Sequence, residues 1–443
     1  MPKLPLEGIR VLGMTQMWAG PTAEMHLSDW GAEVIKVESL HYLAVGTRGP
    51  GPRHPRFAVD VVKGGYAAYY KEGYDEVNGR PWNRSVMFNV HSRNKRSCTL
   101  DPMKPLGREM LKRLVQISDI FLESNQPSVM ENLNLNYEVI SAWNPNIIMA
   151  SMSGFGQTGP MKYYRSLGAH QEDFMGHTYV RGYIDRDVTA NSAIYHGDEA
   201  SGTTAAFVLV MALHQRKKTG KGMFIDLAQV EATMPQLGDA VMDFTMNERI
   251  TERFGNRDRH GAVQGCYRCL GEDRWIAITI RTDEEWAAFC RVMGDPDWTR
   301  DEKFADPLSR YRNHDELDQR IHEWTSRHDH FALMYMLQNA GVAAGPVEHP
   351  DDAYRDPQMR DREFFQTVTH AECGTHSYPG YQYRMSRTPN SFRLPAPCMG
   401  EHNEYVFKTL LKLSDEEYAE LERDGHVGMD LVPDLQIGKY KAE

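Results

Sequence analysis

Apolar residues near the start of the chain fall into short continuous runs separated by stretches with helical spacing. Ile9 to Met14 reads as a buried strand, Thr22 to Trp30 as a helix closed by Gly31, and Glu33 to Glu38 as the next strand. Gly107 to Ser118 has the pattern of an amphipathic helix, and strand-like runs follow at Asp119 to Glu123 and Asn146 to Ser153. Strands that alternate with helices predict parallel βαβ units with right-handed crossovers, and therefore an α/β fold.

The alternation breaks between Leu40 and Ser85, a segment rich in Gly, Pro and Arg that gathers Tyr66, Tyr69, Tyr70, Tyr74 and Trp82. Its aromatic content argues against a disordered linker and for an elaboration on the substrate or subunit side. A long apolar helix is predicted over Thr203 to Lys217, closed by the turn Thr219-Gly-Lys-Gly222. A second unit begins near Gly255, with strand patterns at Cys266 to Leu270 and Trp275 to Ile280. Helical patterns follow at Asp283 to Met293, His314 to Arg327 and His330 to Asn339, and Ala344-Gly-Pro346 ends the run. From about Asp361 the chain turns strand-like again and finishes with two helices. The last opens on Ser414-Asp-Glu-Glu417, a capping box.

At 443 residues the chain is long enough for two or three domains, and 41% hydrophobic and 25% charged residues mark a globular protein. A net charge of -11 excludes a general polyanion-binding role. It leaves room for a nucleotide-like ligand held by a local basic cluster. The six cysteines are scattered, and Cys266-Tyr-Arg-Cys269 has no second pair to complete a zinc set, so they read as packing thiols and no metal is expected. The N-terminus lacks the apolar core of a secretory signal, and the longest apolar stretch, Ala205 to Leu213, is too short to span a bilayer. A cytoplasmic protein is expected.

Candidate chemistry centres on Asp198, in His196-Gly-Asp-Glu-Ala-Ser-Gly202. A carboxylate just ahead of a helix is either an N-cap or a placed nucleophile, since helix N-termini stabilise negative charge. Gly154-Phe-Gly-Gln-Thr-Gly159 has dinucleotide-fingerprint spacing, but Pro160 follows and no amphipathic helix opens on the glycines, so it reads as a structural turn. Arg93, the run Asn94-Lys-Arg-Ser97 and Lys104 make the densest cationic group of the N-terminal half, either a solvated surface or an anion site.

Several stretches together resemble one family, the class III CoA-transferases (the formyl-CoA and carnitine CoA-transferase family). They are Pro5-Leu-Glu-Gly-Ile-Arg-Val-Leu12, Trp18-Ala-Gly-Pro21, Trp30-Gly-Ala-Glu-Val-Ile-Lys-Val-Glu38 and Asn94-Lys-Arg-Ser97 with Leu100-Asp101. Ser153-Gly-Phe-Gly-Gln-Thr-Gly-Pro160, Lys218-Thr-Gly-Lys-Gly222 and Gly400-Glu-His402 follow in the family's order. The resemblance implies a Rossmann-like large domain built from the N- and C-terminal segments, with a smaller α+β domain inserted. In this chain that gives residues 1–230, 255–355 and 361–443, and two chains interlaced as linked rings. It also implies that Asp198 carries the acyl group. Met17, Trp18, Ala19, Arg96, Leu100, Ser124 and Asn125 would contact CoA, with Lys104 as a phosphate partner.

The chain departs from the family at several points. Ser39 and Asn132 stand where arginines are common, and Trp18 replaces the glutamine of formyl-CoA transferases. No glycine-rich gating loop is evident between Arg259 and Cys266, so formyl-CoA and oxalate are disfavoured as substrates. The aromatic insert, Trp18 and Met175-Gly-His-Thr-Tyr179 suit a bulky or aromatic acid, as in benzylsuccinate-type CoA-transferases.

The resemblance implies CoA transfer from an acyl-CoA to a free acid through an aspartyl-acyl anhydride and an aspartyl-CoA thioester, with no tightly bound cofactor. Gly197, or the Gly154–Gly159 turn, would supply oxyanion donors, and Glu199 and His170 would support the site. Two alternatives stay open. One is a racemase or epimerase acting on acyl-CoA through His170 and Asp198. The other is a non-catalytic partner subunit of a heteromeric transferase. Either a homodimer or a heterodimer with a related chain is expected, with no nucleic acid and no membrane as partner.

Overall fold

The structure is a computed structural model that describes residues 3–43, 45–48, 80–190, 194–259 and 261–432. Most of the aromatic segment singled out between Leu40 and Ser85 lies outside these residues.

Six parallel strands form the central sheet: β1 (Arg10–Met14), β2 (Glu33–Glu38), β3 (Lys95–Thr99), β4 (Ile120–Glu123), β5 (Ile148–Ser151) and β6 (Met223–Asp226). Their order is β3-β2-β1-β4-β5-β6, that of a doubly wound dinucleotide-binding sheet. Leu12 is paired with Ile35 on one side and Phe121 on the other. Alternate strand residues feed separate cores. Leu12, Ile35, Phe121 and Met149 pack with the Pro105–Gln116 helix and the C-terminal segment, whereas Val11, Val34, Ile120 and Ile148 pack under the Ala19–Asp29 and His196–Thr219 helices. Both faces are covered, which is why these strands read as unbroken apolar runs.

Strand β3 has no such signature. Lys95-Arg96-Ser97-Cys98-Thr99 is largely polar, yet Lys95, Ser97, Cys98 and Thr99 are fully buried. The cationic run is therefore not a solvated surface. Lys95 Nζ meets Glu24 at 2.9 Å, and Arg93 meets Asp29 at 2.8 Å. Both cations lie in ion pairs formed with the first crossover helix, which offset the desolvation.

By its contacts the chain divides into two compact units. The first contains Met1–Met175, Ala193–Asp239 and Phe364–Glu443, and holds the large sheet. The second contains Gly176–Ser192 and Ala240–Glu363. Its antiparallel strands are β7 (Gln264–Arg268), β8 (Trp275–Thr279) and β9 (Ala343–Val347), backed by helices Asp283–Met293, His314–Thr325 and His330–Asn339. Ala344-Gly-Pro346 thus lies within a strand instead of closing a helical run. Pro346 pairs opposite Ile276 on an edge, where its missing N–H costs no ladder bond.

Returning to the first unit, the chain forms a hairpin of β10 (Phe365–His370) and β11 (Gly374–Pro379). A π-helical turn, Tyr405–Leu410, sinks Val406 and Phe407 into the sheet core. The closing helix Asp415–Arg423 carries the expected capping box. Ser414 Oγ accepts from Glu417 N at 3.2 Å, and Glu417 accepts from Ser414 N at 2.7 Å. Among the described residues, no helix is long and apolar enough to cross a membrane.

Candidate active site

The helix expected over Thr203 to Lys217 begins earlier, at His196, and runs to Thr219. Asp198 therefore sits inside its first turn and does not cap it. The cap position belongs to Tyr195, in the left-handed region at φ 55°. Backbone donors ahead of and at the helix start are satisfied from a distance. The buried Glu172 carboxylate, on the Gly168–Phe174 helix, accepts from Ile194 N at 3.2 Å and His196 N at 3.0 Å, and pairs with His196 Nδ1 at 3.0 Å. A remote carboxylate thus does the work of an N-cap side chain.

This arrangement frees Asp198 for another role and crowds it. Its side chain is buried, and the backbone N–H of Ala19 donates to it. Gly168 lies so close that a Cβ there would stand 2.1 Å from Asp198 Oδ2. Four residues along the helix, a Cβ on Gly202 would come within 2.6 Å of Ala19 O and of Thr22 Cβ, so only glycine lets the two crossover helices approach at that level. Burial, followed by the charges of Glu199 and Glu172, raises the Asp198 carboxyl to about 6, while His91 and the Ala19 N–H oppose the rise. Glu199 points to a different set of partners. It accepts from Thr22 Oγ1 at 3.3 Å and faces His91 Nε2 at 3.1 Å.

The opposite wall is the loop after β1. Strands β1 and β4 are neighbours, and the chain leaves them in opposite directions across the sheet, so the crevice beyond their carboxyl ends is the topological switch point where such folds bind ligands. Residues singled out in the sequence gather here. Met17 is held at φ 59° with its N–H on Thr47 Oγ1 at 2.7 Å. Trp18 lies between the rings of His91, 5.8 Å away, and Tyr195, 5.0 Å away and edge-on. Ser124 Oγ accepts from Gln16 N at 2.8 Å, and Asn125 Nδ2 donates to Met14 O at 3.1 Å, which ties the loops after β1 and β4 together. Two left-handed non-glycine residues, Met17 and Tyr195, therefore flank the Trp18 ring, and such conformations concentrate at functional sites.

Buried charge fixes that loop from below. Glu24 accepts from Thr15 Oγ1 at 2.6 Å and from Lys95 Nζ at 2.9 Å, and Lys36 Nζ donates to Thr15 O at 2.7 Å. Burial pulls Lys95 down to about 8 against the attraction of Glu24. At the end of β4, burial pushes the Glu123 carboxyl up to about 7, and it accepts from Asn125 N at 2.7 Å.

The other candidates have contacts elsewhere. Arg96 pairs with Glu33 at 3.4 Å and lies over the Tyr405 ring. Leu100 is part of the sheet core, and Lys104 donates to Asp424 O. His170 is exposed, and its Nδ1 accepts from Leu167 N at 3.2 Å, so it caps its own helix. Gly197 is buried in the first turn beside Asp198. The Gly154–Gly159 turn is held by Asp226, which accepts from Gln157 N at 3.0 Å, and the next helix begins only at Gly168. Sequence reasoning missed His91 and Glu172, whose places beside Asp198 arise from long-range contacts that no local pattern announces, and Glu123, whose full burial no local pattern announces either. Among the described residues His349, Asp351 and Asp352 alone have ligand atoms close enough for a metal. Asp352 there is engaged by Arg274 and accepts from His349 N.

A sequence model of CoA-transferase family III matches residues 6–403. The chain belongs to that family. It is a CoA-transferase, and CoA thioesters are the family's substrates. This CoA-transferase is 30% identical over 421 residues to the succinyl-CoA–D-citramalate CoA-transferase of Chloroflexus aurantiacus, covering 95% of this chain and 98% of the relative. It is 27% identical to the human succinyl-CoA:glutarate CoA-transferase, covering 96% and 90%. The crystal structure of a CAIB/BAIF family protein from Brucella suis superposes with a TM-score of 0.79 at 26% identity, covering 92% of this chain and all of that one.

Proposed function

We propose that Asp198 is the nucleophile of this CoA-transferase and passes CoA from an acyl-CoA to a free carboxylic acid. A carboxylate is a weak nucleophile when hydrated, and burial beside a bound thioester strips that hydration and holds the reacting atoms together. An Asp198 oxygen attacks the thioester carbonyl; the C–S bond breaks, an aspartyl-acyl anhydride forms and CoA leaves as thiolate. The thiolate attacks the aspartyl carbonyl of the anhydride, giving an aspartyl-CoA thioester and releasing the donor acid as carboxylate. The acceptor carboxylate attacks that thioester carbonyl, and the returning thiolate attacks the acyl carbonyl of the new anhydride to regenerate Asp198. No net proton moves, so the chain has to supply position and charge compensation and no acid–base relay. The single observation that carries this reading is a buried aspartate at a helix N-terminus, facing the backbone N–H of Ala19 beside the switch-point loop.

CoA would run over Met17, Trp18 and Ala19 and past Ser124 and Asn125, residues that meet at the carboxyl edge of the sheet. The relatives' names make succinyl-CoA the donor to test first and small dicarboxylates the acceptors. A subunit interface is supported by Met242, Phe244, Met246 and Ile250, large apolar side chains left exposed along and just beyond the Gly238–Asn247 helix. A second copy of the chain is the proposed occupant, in a cytoplasmic enzyme. The racemase reading gains nothing from His170, whose Nδ1 is engaged with its own helix.

The test is mass spectrometry after incubation with succinyl-CoA. A CoA adduct should appear on the peptide containing residue 198 and be absent from Asp198→Ala. An adduct on another residue, or full transfer activity in that variant, rules the mechanism out.

A further inference from the structure

His91 ends the Val86–His91 helix, far in sequence from Asp198, and brings an imidazole that both faces Glu199 and bears on Asp198. Its hydrogen bonds define where its protons lie. Nδ1 is 2.9 Å from Met87 O, and a carbonyl oxygen only accepts, so Nδ1 carries a hydrogen. Nε2 lies 3.1 Å from Glu199 Oε1. With Nδ1 protonated, a neutral ring would aim a bare lone pair at a carboxylate oxygen. The contact is attractive only with a proton on the Nε2–Oε1 axis, which makes the His91–Glu199 pair neutral overall.

The rest of the site gives that proton its meaning. Among the described residues, Asp198 has acidic neighbours in Glu199 on its own helix and Glu172 on the Gly168–Phe174 helix. Glu172 is met by His196, and among the described residues the Ala19 N–H, the Thr22 hydroxyl and His26 from the first crossover helix also face this cluster. We propose that His91 is a positioning residue that neutralises Glu199 through a shared proton, leaving Asp198 as the carboxylate that is ionised and free to react at neutral pH. Its ring also backs Trp18, so the same residue links the charge state of the site to the wall against which CoA would lie. The inference rests on Asp198 being the nucleophile and adds a partner that no motif supplied.

The experiment is the pH dependence of kcat/KM for transfer from succinyl-CoA in the wild type, His91→Gln, Glu199→Gln and the double variant, with the residue-198 adduct followed in parallel. Glutamine keeps a donor toward Glu199 and removes the charge. The acid limb of His91→Gln should move up by about one pH unit, because Asp198 then ionises beside an uncompensated carboxylate. Glu199→Gln should move it down by a similar amount, and the double variant should return close to the wild type. A merely structural His91 would lower kcat without moving the limb, and that result, or a double variant that behaves like His91→Gln, overturns the proposal. Should His91→Gln fail to fold, Glu199→Gln decides alone, and an unmoved limb there is fatal. Absence of an adduct in the wild type would instead remove Asp198 as nucleophile and overturn both readings.

Discussion

Gly168 leaves the space that Asp198 Oδ2 occupies: a Cβ at position 168 would stand 2.1 Å from that oxygen. The closest atom is the functional group itself and not a flexible side-chain end with room to swing away. Gly168→Ala is therefore expected to displace the carboxylate or its helix, with a loss of at least about a hundredfold in kcat, since misplacement by about 1 Å costs that much. Thermal stability should fall by only about 1–3 kcal/mol, the range for overpacking. Steady-state kinetics with a melting curve check both; unchanged turnover in Gly168→Ala would mean that Asp198 has another resting place.

The raised pKa of Asp198 makes the site costly to the fold. Burial and the two neighbouring carboxylates lift the group from 3.8 to about 6. The acid form is thus favoured in the folded chain, and above about pH 6 the folded protein retains a charge that unfolding would release to water. The penalty is full above the folded value and vanishes below the unfolded one. A shift of this size is worth about 3 kcal/mol at full effect, and residual solvent reduces the expected gain for Asp198→Asn at pH 8 to on the order of 2 kcal/mol. The gain should shrink as pH falls through 6, while transfer activity is lost at every pH. Urea unfolding at pH 8 and pH 5 checks the sign; an Asn variant less stable than the wild type at pH 8 contradicts it.

Glu172 is predicted to hold the start of the His196–Thr219 helix, which bears Asp198. It takes two backbone N–H groups, from Ile194 and His196, and the His196 side chain. Glu172→Ala leaves those donors unpaired at a buried site, a cost of about 2–4 kcal/mol, and lets the first turn fray. Hydrogen exchange should report faster protection loss at residues 194–198 than elsewhere in the His196–Thr219 helix. Uniform exchange along the helix would show that the turn is held by something else. Glu172→Gln keeps an acceptor and should recover much of the protection.

How far the sequence carried the fold depended on what each residue is buried against. Leu12, Ile35 and Phe121 declare their strands because both sheet faces are covered and both demand apolar side chains. Lys95 hides its strand, since its burial is compensated by Glu24 from another element and no local pattern encodes a distant partner. The helix start was misplaced for the same reason: the rule for caps looks for a side chain just ahead of the helix, and here Glu172 reaches in from an earlier helix. The motif singled out Asp198, and Trp18, Ser124 and Asn125 were picked out with it; these residues lie at the helix start and in the loops after β1 and β4. His91 was not, because the proton it shares with Glu199 joins residues from two separate crossovers.

The Glu24–Lys95 pair gives the last prediction, because it separates a stabilising role from a positioning one. Both side chains are fully buried, and each has a second attachment: Glu24 to Thr15 Oγ1 at 2.6 Å, Lys95 to Pro21 O at 2.9 Å. Removing one partner strands the other charge, so Lys95→Met should cost about 3–5 kcal/mol, whereas Lys95→Met with Glu24→Gln should recover most of that loss. Stability and function should then part company. Glu24 holds Thr15 at the root of the loop bearing Met17 and Trp18 through a charged acceptor, and Glu24→Gln leaves only a weaker neutral one, so the double variant, although folded, should keep a raised KM for acyl-CoA with a smaller change in kcat. A double variant with wild-type KM would confine the pair to the fold; a double variant as unstable as Lys95→Met would mean that the shape of the side chains, and not their charge, is what the core requires.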